Sequence, residues 1–160
     1  MNVPVGGRRI LMHGMLLVLV GLVWGFAIPA TPYPRLALGA HIQLVMNGML
    51  MMVMATALLA MPNRVGPKSV WIMQLAAYLT WAMALSEVAN AWWGTRQMLP
   101  IAASETDAAG GASWQELVVM LTHLGAGLGL IVAWVSLVVG FVRGAAGNAN
   151  APAVRPGRSL

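Results

Sequence analysis

The sequence predicts an all-α fold, an antiparallel bundle of four transmembrane helices, and two observations support this prediction. Of the 160 residues, 59% are hydrophobic and only 8% are charged, whereas an average soluble domain carries about 25% charged residues. A soluble chain of this length would have too little polar surface to cover its core. In addition, four apolar stretches each reach the roughly 20 residues that a spanning helix needs. A soluble enzyme and an intrinsically disordered protein are therefore excluded.

The four predicted spans end at recognisable helix breakers. They are residues 10–28, 36–61, 70–93 and 114–142. Proline follows the first two spans, Gly94 follows the third, and Arg143-Gly144 closes the fourth. A helix satisfies its own backbone groups in lipid, and the short connections after the first two spans favour antiparallel neighbours.

The remaining segments are predicted to lie outside the membrane. The segment from Thr95 to Ser113 contains one proline and two glycines, and it is predicted to be a surface loop. Residues 1–143 are predicted to form a single four-helix membrane domain, and residues 144–160 a basic, disordered tail.

The distribution of basic residues predicts the orientation of the bundle. If both termini are cytoplasmic, only Arg35 and Arg96 of the nine basic residues lie outside, as the positive-inside rule requires. The seven on the inner side are Arg8, Arg9, Arg64, Lys68, Arg143, Arg155 and Arg158. Because orientation explains these charges, the net charge of +5 requires no nucleic-acid partner.

A cleaved signal peptide is an alternative for the first span. Arg8-Arg9 precede an apolar run that is followed by Gly25-Phe26-Ala27, which is the order of regions in such a peptide. Cleavage would leave three spans with the termini on opposite sides, and part of the charge agreement would be lost. The prediction is therefore four uncleaved spans.

Ionisable and amide side chains within the spans are functional candidates, because they are costly in lipid. Five of them, from three helices, share the expected outer half of the bilayer: His41, Asn47, Glu87, Asn90 and His123. An isolated carboxylate in lipid would be protonated or paired, so we expect Glu87 to contact His41 or His123. Hydrogen bonding between helices is the competing interpretation for His123 and both asparagines. We also expect it for His13, about one turn from the inner end.

Residue types limit the cofactors that this chain can hold. It has no cysteine, which excludes disulfides, thiolate metal sites and thiol nucleophiles. Its thirteen methionines are interpreted as packing residues rather than copper(I) ligands. With three histidines, a protein-bound metal would need mixed His and Glu ligands, whereas a haem needs one proximal histidine and an apolar slot. Two haem ligands would have to be His41 and His123.

Residues 40–49, in which five residues separate His41 from Asn47-Gly48-Met49, resemble the second-helix motif of the styrene oxide isomerases. These are small four-helix membrane proteins of bacteria. The pairs His13-Gly14 and Trp81-Ala82 are similar to that family as well, and the resemblance covers residues 8 to 142. It implies a homotrimer in the bacterial inner membrane, with haem b at each subunit interface and His41 as the axial ligand of the iron.

The resemblance also implies an activity, the isomerisation of an aryl epoxide. The ferric iron would act as a Lewis acid on the epoxide oxygen. Ring opening to a benzylic cation and a 1,2-hydride shift would then give an aryl acetaldehyde, which is a Meinwald rearrangement. Asn47 would hydrogen-bond the epoxide oxygen or orient the substrate, and no net electrons or external protons are needed.

The spacing of the candidate residues adds two points. His41 and Asn47 are six residues apart, or about 120° around a helix, so one helix of a trimer can present them to two different interfaces. The family has a tyrosine six residues after its third-helix tryptophan, where this chain has Glu87 after Trp81. Either Glu87, if protonated, or Asn90 replaces the phenol as a hydrogen-bond donor, or the substrate or the chemistry differs.

The sequence-based site is therefore His41 as haem ligand, with Asn47, Glu87 and Asn90 as catalytic residues. Two other functions stay open at this point. One is a non-enzymatic b-type haem protein for electron transfer or haem handling, with His41 and His123 as ligands. The other is a structural or assembly protein without a cofactor, in which the polar side chains only join helices.

Overall fold

Helices account for most of the chain in the computed structural model, which describes residues 2–149. In chain order they are α1 (Val3–Ala27), a 3-10 turn (Ile28–Ala30), α2 (Pro34–Ala60), α3 (Pro67–Trp93), α4 (Pro100–Ser104) and α5 (Ser113–Ala149). There is no strand within residues 2–149. The predicted all-helical fold class is thus confirmed.

Four of these helices, α1, α2, α3 and α5, are long and apolar enough to cross a membrane. Their outward faces carry large hydrophobic side chains such as Val23, Leu128 and Ile131, each more than half exposed. Such a surface is compatible with lipid and not with water. The chain is therefore a multi-pass membrane protein, while the cytoplasmic location of its termini stays a prediction.

Three of the long helices begin earlier than the apolar pattern predicts, and each has a proline in its first turn. Pro4 lies in the first turn of α1, and α2 and α3 begin at Pro34 and Pro67. Proline suits this position because the first N–H groups of a helix have no partner within the helix. His13 consequently lies ten residues after Val3, about 15 Å from the start of α1, rather than one turn from its end.

Two segments that were predicted to lack regular structure contain helix. Residues 100–104 form α4 within the predicted surface loop, and α5 continues through residues 144–149 of the predicted disordered tail. Gly144 still packs against the α2–α3 connection, where an added Cβ would lie 3.1 Å from Cα of Asn63. Alanine also favours helix in this stretch. The rest of the tail, residues 150–160, lies outside the described residues.

Glycine brings the backbones of α1 and α2 into contact. A Cβ added to Gly14 would lie 2.8 Å from the carbonyl oxygen of Gly48, and a Cβ on Gly48 would lie 2.8 Å from that of Gly14. A Cβ on Gly21 would lie 2.9 Å from Cβ of Leu44. Small residues permit this approach in membranes, where packing rather than hydrophobicity holds helices together. The contact determines that Gly14 and Gly21 of α1 face residues 44–48 of α2.

The connection between α3 and α5 is tied down by carboxylates. Glu116 accepts hydrogen bonds from the backbone N–H groups of Arg96, Gln97 and Gly111 at 2.9, 3.0 and 3.1 Å. Glu105 forms an ion pair with Arg35 at the start of α2. The segment predicted to be a surface loop is therefore a packed cover over one end of the bundle.

We expect Gly14→Ala to destabilise the protein and Gly127→Ala to stabilise it slightly. The methyl group at position 14 meets a backbone carbonyl that cannot rotate away, and overpacking of this kind costs about 1–3 kcal/mol. At position 127 an added Cβ meets nothing within 4 Å, and replacing a helical glycine by alanine contributes up to about 1 kcal/mol. Unfolding in detergent, followed by circular dichroism, measures both. Equal stability of the two variants would contradict the proposed role of Gly14.

Candidate haem-binding and catalytic site

His41 has one ring nitrogen held by the backbone and one free. Its side chain is half-buried on α2, and Nδ1 lies 2.8 Å from the carbonyl oxygen of Gly21 on α1. Because a carbonyl oxygen can only accept, Nδ1 carries the proton and Nε2 carries the lone pair. Nε2 makes no hydrogen bond within residues 2–149. A backbone carbonyl on one nitrogen commonly orients a histidine that binds a metal through the other.

The close approach of α1 makes this arrangement possible. Gly21 supplies the carbonyl, and one turn later a Cβ added to Gly25 would lie 3.3 Å from Nδ1 and Cε1 of His41. A larger residue at either position would push the imidazole or the helix away. Trp24, between them, donates its indole N–H to the carbonyl of Ala37 at 2.9 Å, which joins the same two helices one turn before His41.

His13 is engaged by α3. The indole Nε1 of Trp81 donates to Nδ1 of His13 at 3.2 Å, so the imidazole hydrogen of the neutral ring lies on Nε2. The ring of Tyr78 meets that of His13 edge to face, with centroids 5.2 Å apart. The predicted interhelical hydrogen bond of His13 is confirmed, and this histidine offers no lone pair to a metal.

His123 and Glu87 form a buried pair between α5 and α3. Nε2 of His123 lies 2.8 Å from Oε1 of Glu87, and Nδ1 lies 2.7 Å from the carbonyl oxygen of Val119. The relative exposure is 0% for Glu87 and 8% for His123. Of the two partners predicted for Glu87, the structure selects His123. Because Nδ1 must donate to the carbonyl, a hydrogen bond between Nε2 and Oε1 requires a second proton on one of these two atoms.

These contacts argue against the alternative in which His41 and His123 both bind a haem. Both ring nitrogens of His123 are occupied, and freeing Nε2 would leave a carboxylate unpaired in the bundle. Within the described part of the chain, no group of three or more His, Asp or Glu side chains is placed to hold a metal ion. The free Nε2 of His41 is thus the one histidine lone pair presented to a ligand.

Asn47 lies in a different environment from His41. It is 6% exposed, and its Nδ2 donates to the backbone oxygen and to Oε1 of Gln43, both at 2.8 Å. Both amide hydrogens are therefore engaged on the same helix. Within one chain, the structure does not bring Asn47 and His41 to a common ligand.

The side chain of Asn90 forms hydrogen bonds at the C-terminal end of α3. Its Oδ1 accepts hydrogen bonds from the backbone N–H and the hydroxyl of Thr95 at 2.8 and 2.7 Å. Its Nδ2 is fully buried and has no partner within residues 2–149. Glu87 lies one turn earlier, and its Oε2 is 3.6 Å from the position of a Cβ added to Gly39. The structure therefore groups Glu87, His123 and Asn90 near the covered end of the bundle.

Sequence reasoning missed the glycines that hold His41 and the role of Gln43. A signal for the glycines exists, because Gly7, Gly14 and Gly21 recur every seven residues, which places them on one face of a helix. That spacing identifies the face of α1 that approaches another helix. It does not identify α2 as the neighbour or His41 as the residue opposite Gly21.

Fold and comparisons together define a class, a multi-pass membrane enzyme of the isomerase type. The styrene oxide isomerase family model matches residues 7–142, and the chain belongs to that family. It is 29% identical over 151 residues to hydroxylaminobenzene mutase HabB of Ectopseudomonas oleovorans, covering 93% of this chain and 90% of that protein. It is 29% identical over 94 residues to hydroxylaminobenzene mutase HabA of the same organism, covering 58% and 68%. No solved structure matches the chain.

We expect His123→Leu to lower the free energy of unfolding, because it leaves the Glu87 carboxylate buried without a partner. Breaking a buried pair from one side costs about 3–5 kcal/mol, whereas replacing both partners by apolar residues is often neutral. The double variant Glu87→Leu/His123→Leu should therefore regain most of that loss. Detergent-denaturant titrations of the parent, both single variants and the double variant measure the coupling. Strictly additive effects would show that the two side chains do not interact.

Proposed function

We propose that this protein is a haem-dependent isomerase that converts aryl epoxides of the styrene oxide type to aldehydes. His41 carries the proposal: within residues 2–149 it alone of the three histidines has an unprotonated ring nitrogen without a polar contact, and Gly21 holds it in the tautomer that can bind iron. A haem b needs one such axial ligand, and the Nε2 atom of His41 would supply it. Membership of the styrene oxide isomerase family supports the reaction class.

The proposed reaction is an intramolecular rearrangement of the substrate. The benzylic C–O bond breaks, a hydride moves from the neighbouring carbon to the benzylic carbon, and the oxygen becomes that of an aldehyde. A bound ferric haem would supply Lewis acidity toward the oxygen. Atoms and electrons balance, so no reductant, oxidant or water is consumed. The chain must hold an apolar substrate and keep water away, and apolar helices suit both tasks.

Asn47, Asn90 and Glu87 would position the substrate. A substrate oxygen can receive a hydrogen bond from Asn47 if it displaces Oε1 of Gln43 from one amide hydrogen. Within residues 2–149, Nδ2 of Asn90 has no hydrogen-bond partner, and Oε2 of Glu87 is not in contact with His123. The offset of about 120° between His41 and Asn47 places them on different faces of α2. In the proposed homotrimer, the half-buried His41 faces a subunit interface, whereas Asn47, 6% exposed, lies inside its own bundle.

A second candidate function is a mutase acting on hydroxylaminobenzene, the activity for which HabB and HabA are named. The observation that favours it is Glu87, which stands where the family pattern has a tyrosine. A phenol donates a hydrogen bond, which suits an epoxide oxygen. A carboxylate accepts one, which suits the N–H and O–H groups of a hydroxylamine and not an epoxide, which has no donor. Both candidates are internal rearrangements.

We expect His41→Ala to abolish haem binding, because it removes the free imidazole nitrogen. The measurement is the haem absorbance per protein after purification with adequate haem supply. His13→Ala and His123→Ala are the matched controls, since each also removes one histidine from the bundle. They should keep the haem if they fold. Retention of haem by folded His41→Ala, or loss in all three variants alike, would overturn the assignment of the ligand.

We expect haem-loaded protein to convert styrene oxide to phenylacetaldehyde without a reductant, and Glu87→Gln distinguishes the two candidates. If the carboxylate accepts substrate hydrogens, kcat/KM for hydroxylaminobenzene should fall about tenfold or more, since one charged hydrogen bond has this magnitude. The value for styrene oxide should change little. The haem spectrum of the variant serves as the control for folding. A folded, haem-loaded parent protein that converts neither substrate would refute both candidates.

A further inference from the structure

One end of the bundle carries positive charge that no acidic side chain of the protein neutralises. This basic end comprises Arg8, Arg9, Arg64, Lys68 and Arg143. It is one end because Gly7 packs against Leu59 and Gly144 packs against Asn63. The four acidic residues are Glu87, Glu105, Asp107 and Glu116. Each of the four belongs to the other end or to the buried pair, so no acidic side chain within the described residues pairs with the basic end.

A groove at the basic end gathers charged, polar and apolar groups from three elements. Its volume is about 340 Å³. It lies between the α2–α3 connection, the start of α3 and the end of α5, and its lining includes Arg64, Ser69, Val135, Ser136, Val139 and Arg143. The two guanidinium groups thus come from different elements and share one groove with two hydroxyl groups. Guanidinium groups match the geometry of phosphate oxygens.

Hydrogen bonds and a close backbone contact fix the α2–α3 connection against α5, so the shape of the groove is defined by packed residues. The backbone N–H of Arg64 donates to the carbonyl of Gly140 at 3.0 Å. Asn63 donates to the carbonyl oxygens of Leu58 and Met61 and accepts from the N–H of Val65. A Cβ on Gly140 would collide with Val65, so glycine is required for this close contact. Arg64 is thereby anchored beside the last turns of α5.

The hydroxyl groups of the groove differ in what they can offer. Ser136 donates to the carbonyl oxygen of Val132 at 2.8 Å, so its oxygen can only accept a further hydrogen bond. Ser69 makes no hydrogen bond within the described residues and can donate to an anion. A ligand that fits both carries an anionic oxygen and a hydroxyl group. Val138 and Val142, more than half exposed on α5, continue the apolar surface away from these polar groups.

We propose that this groove binds the headgroup of an anionic phospholipid. Arg64 and Arg143 pair with the phosphodiester, Ser69 donates to it, and Ser136 accepts from a headgroup hydroxyl such as that of phosphatidylglycerol. The acyl chains lie along the apolar face of α5. Basic pockets at the ends of spanning helices are suited to anionic headgroups. This inference concerns the lipid environment and is independent of the proposed isomerase activity.

The test is a titration of the full-length protein in detergent with phosphatidylglycerol, with bound lipids counted by native mass spectrometry. The variant Arg64→Gln/Arg143→Gln should bind at least about tenfold more weakly, because two charge-assisted contacts are lost. The control Arg8→Gln/Arg9→Gln removes the same charge from a groove lined otherwise by Val5, Met12, His13 and Leu16. We expect a change of less than about twofold for this control, because neither Arg8 nor Arg9 lines the proposed groove. A loss caused by overall charge alone would appear equally in both double variants.

Further arms of the experiment identify the ligand. Phosphatidylcholine with the same acyl chains should bind the parent protein at least about tenfold more weakly. Millimolar inorganic phosphate should fail to displace phosphatidylglycerol. Equal weakening by both double substitutions would show that only overall charge matters, and displacement by inorganic phosphate would show a free-anion site. Either result would overturn the proposal. Circular dichroism of each variant checks that it is folded.

Discussion

The backbone contact between α1 and α2 is the constraint on which the site depends. Gly14 and Gly48 allow the two helices to touch at their backbones, and Gly21 and Gly25 continue that face beside His41. At this separation the carbonyl of Gly21 reaches Nδ1 of His41 and selects the tautomer. A wider spacing would leave the imidazole free to rotate and its protonated nitrogen undetermined. Helix packing and the orientation of the His41 imidazole are therefore consequences of the same small residues.

The free-energy cost of an unpaired polar group in an apolar bundle explains why the three histidines differ in role. His13 is satisfied by the indole of Trp81, and His123 by Glu87 and a backbone carbonyl. These two histidines join helices, and their nitrogens are not available for other chemistry. His41 is satisfied at one nitrogen only. In a medium where an unpaired polar atom is expensive, the histidine left incomplete is the one expected to receive a ligand.

Charge is separated along the bundle, and the two ends use it differently. Near the covered end, carboxylates bind backbone N–H groups and Arg35, and they hold the α3–α5 connection over the helices. At the basic end, the connection between α2 and α3 is held by backbone hydrogen bonds and glycine contacts. Its arginines therefore stay free to meet charge from outside. The few charged residues of the chain thus hold a cover in place at one end and form a basic surface at the other.

Sequence alone determined the helical membrane fold, because in lipid a helix is the simplest way to satisfy every backbone group. It also singled out His41 and identified Glu87 as a carboxylate that needs a partner. Helix beginnings at Pro34 and Pro67 were placed too late because the prediction followed the apolar pattern alone, whereas proline suits the first turn of a helix. Only the tertiary structure showed that Glu87 contacts His123, that the Asn47 amide donates hydrogen bonds to Gln43, and that the Gly21 carbonyl orients His41. Those choices depend on which helix faces pack together, and contacts between distant segments leave no local pattern in the sequence.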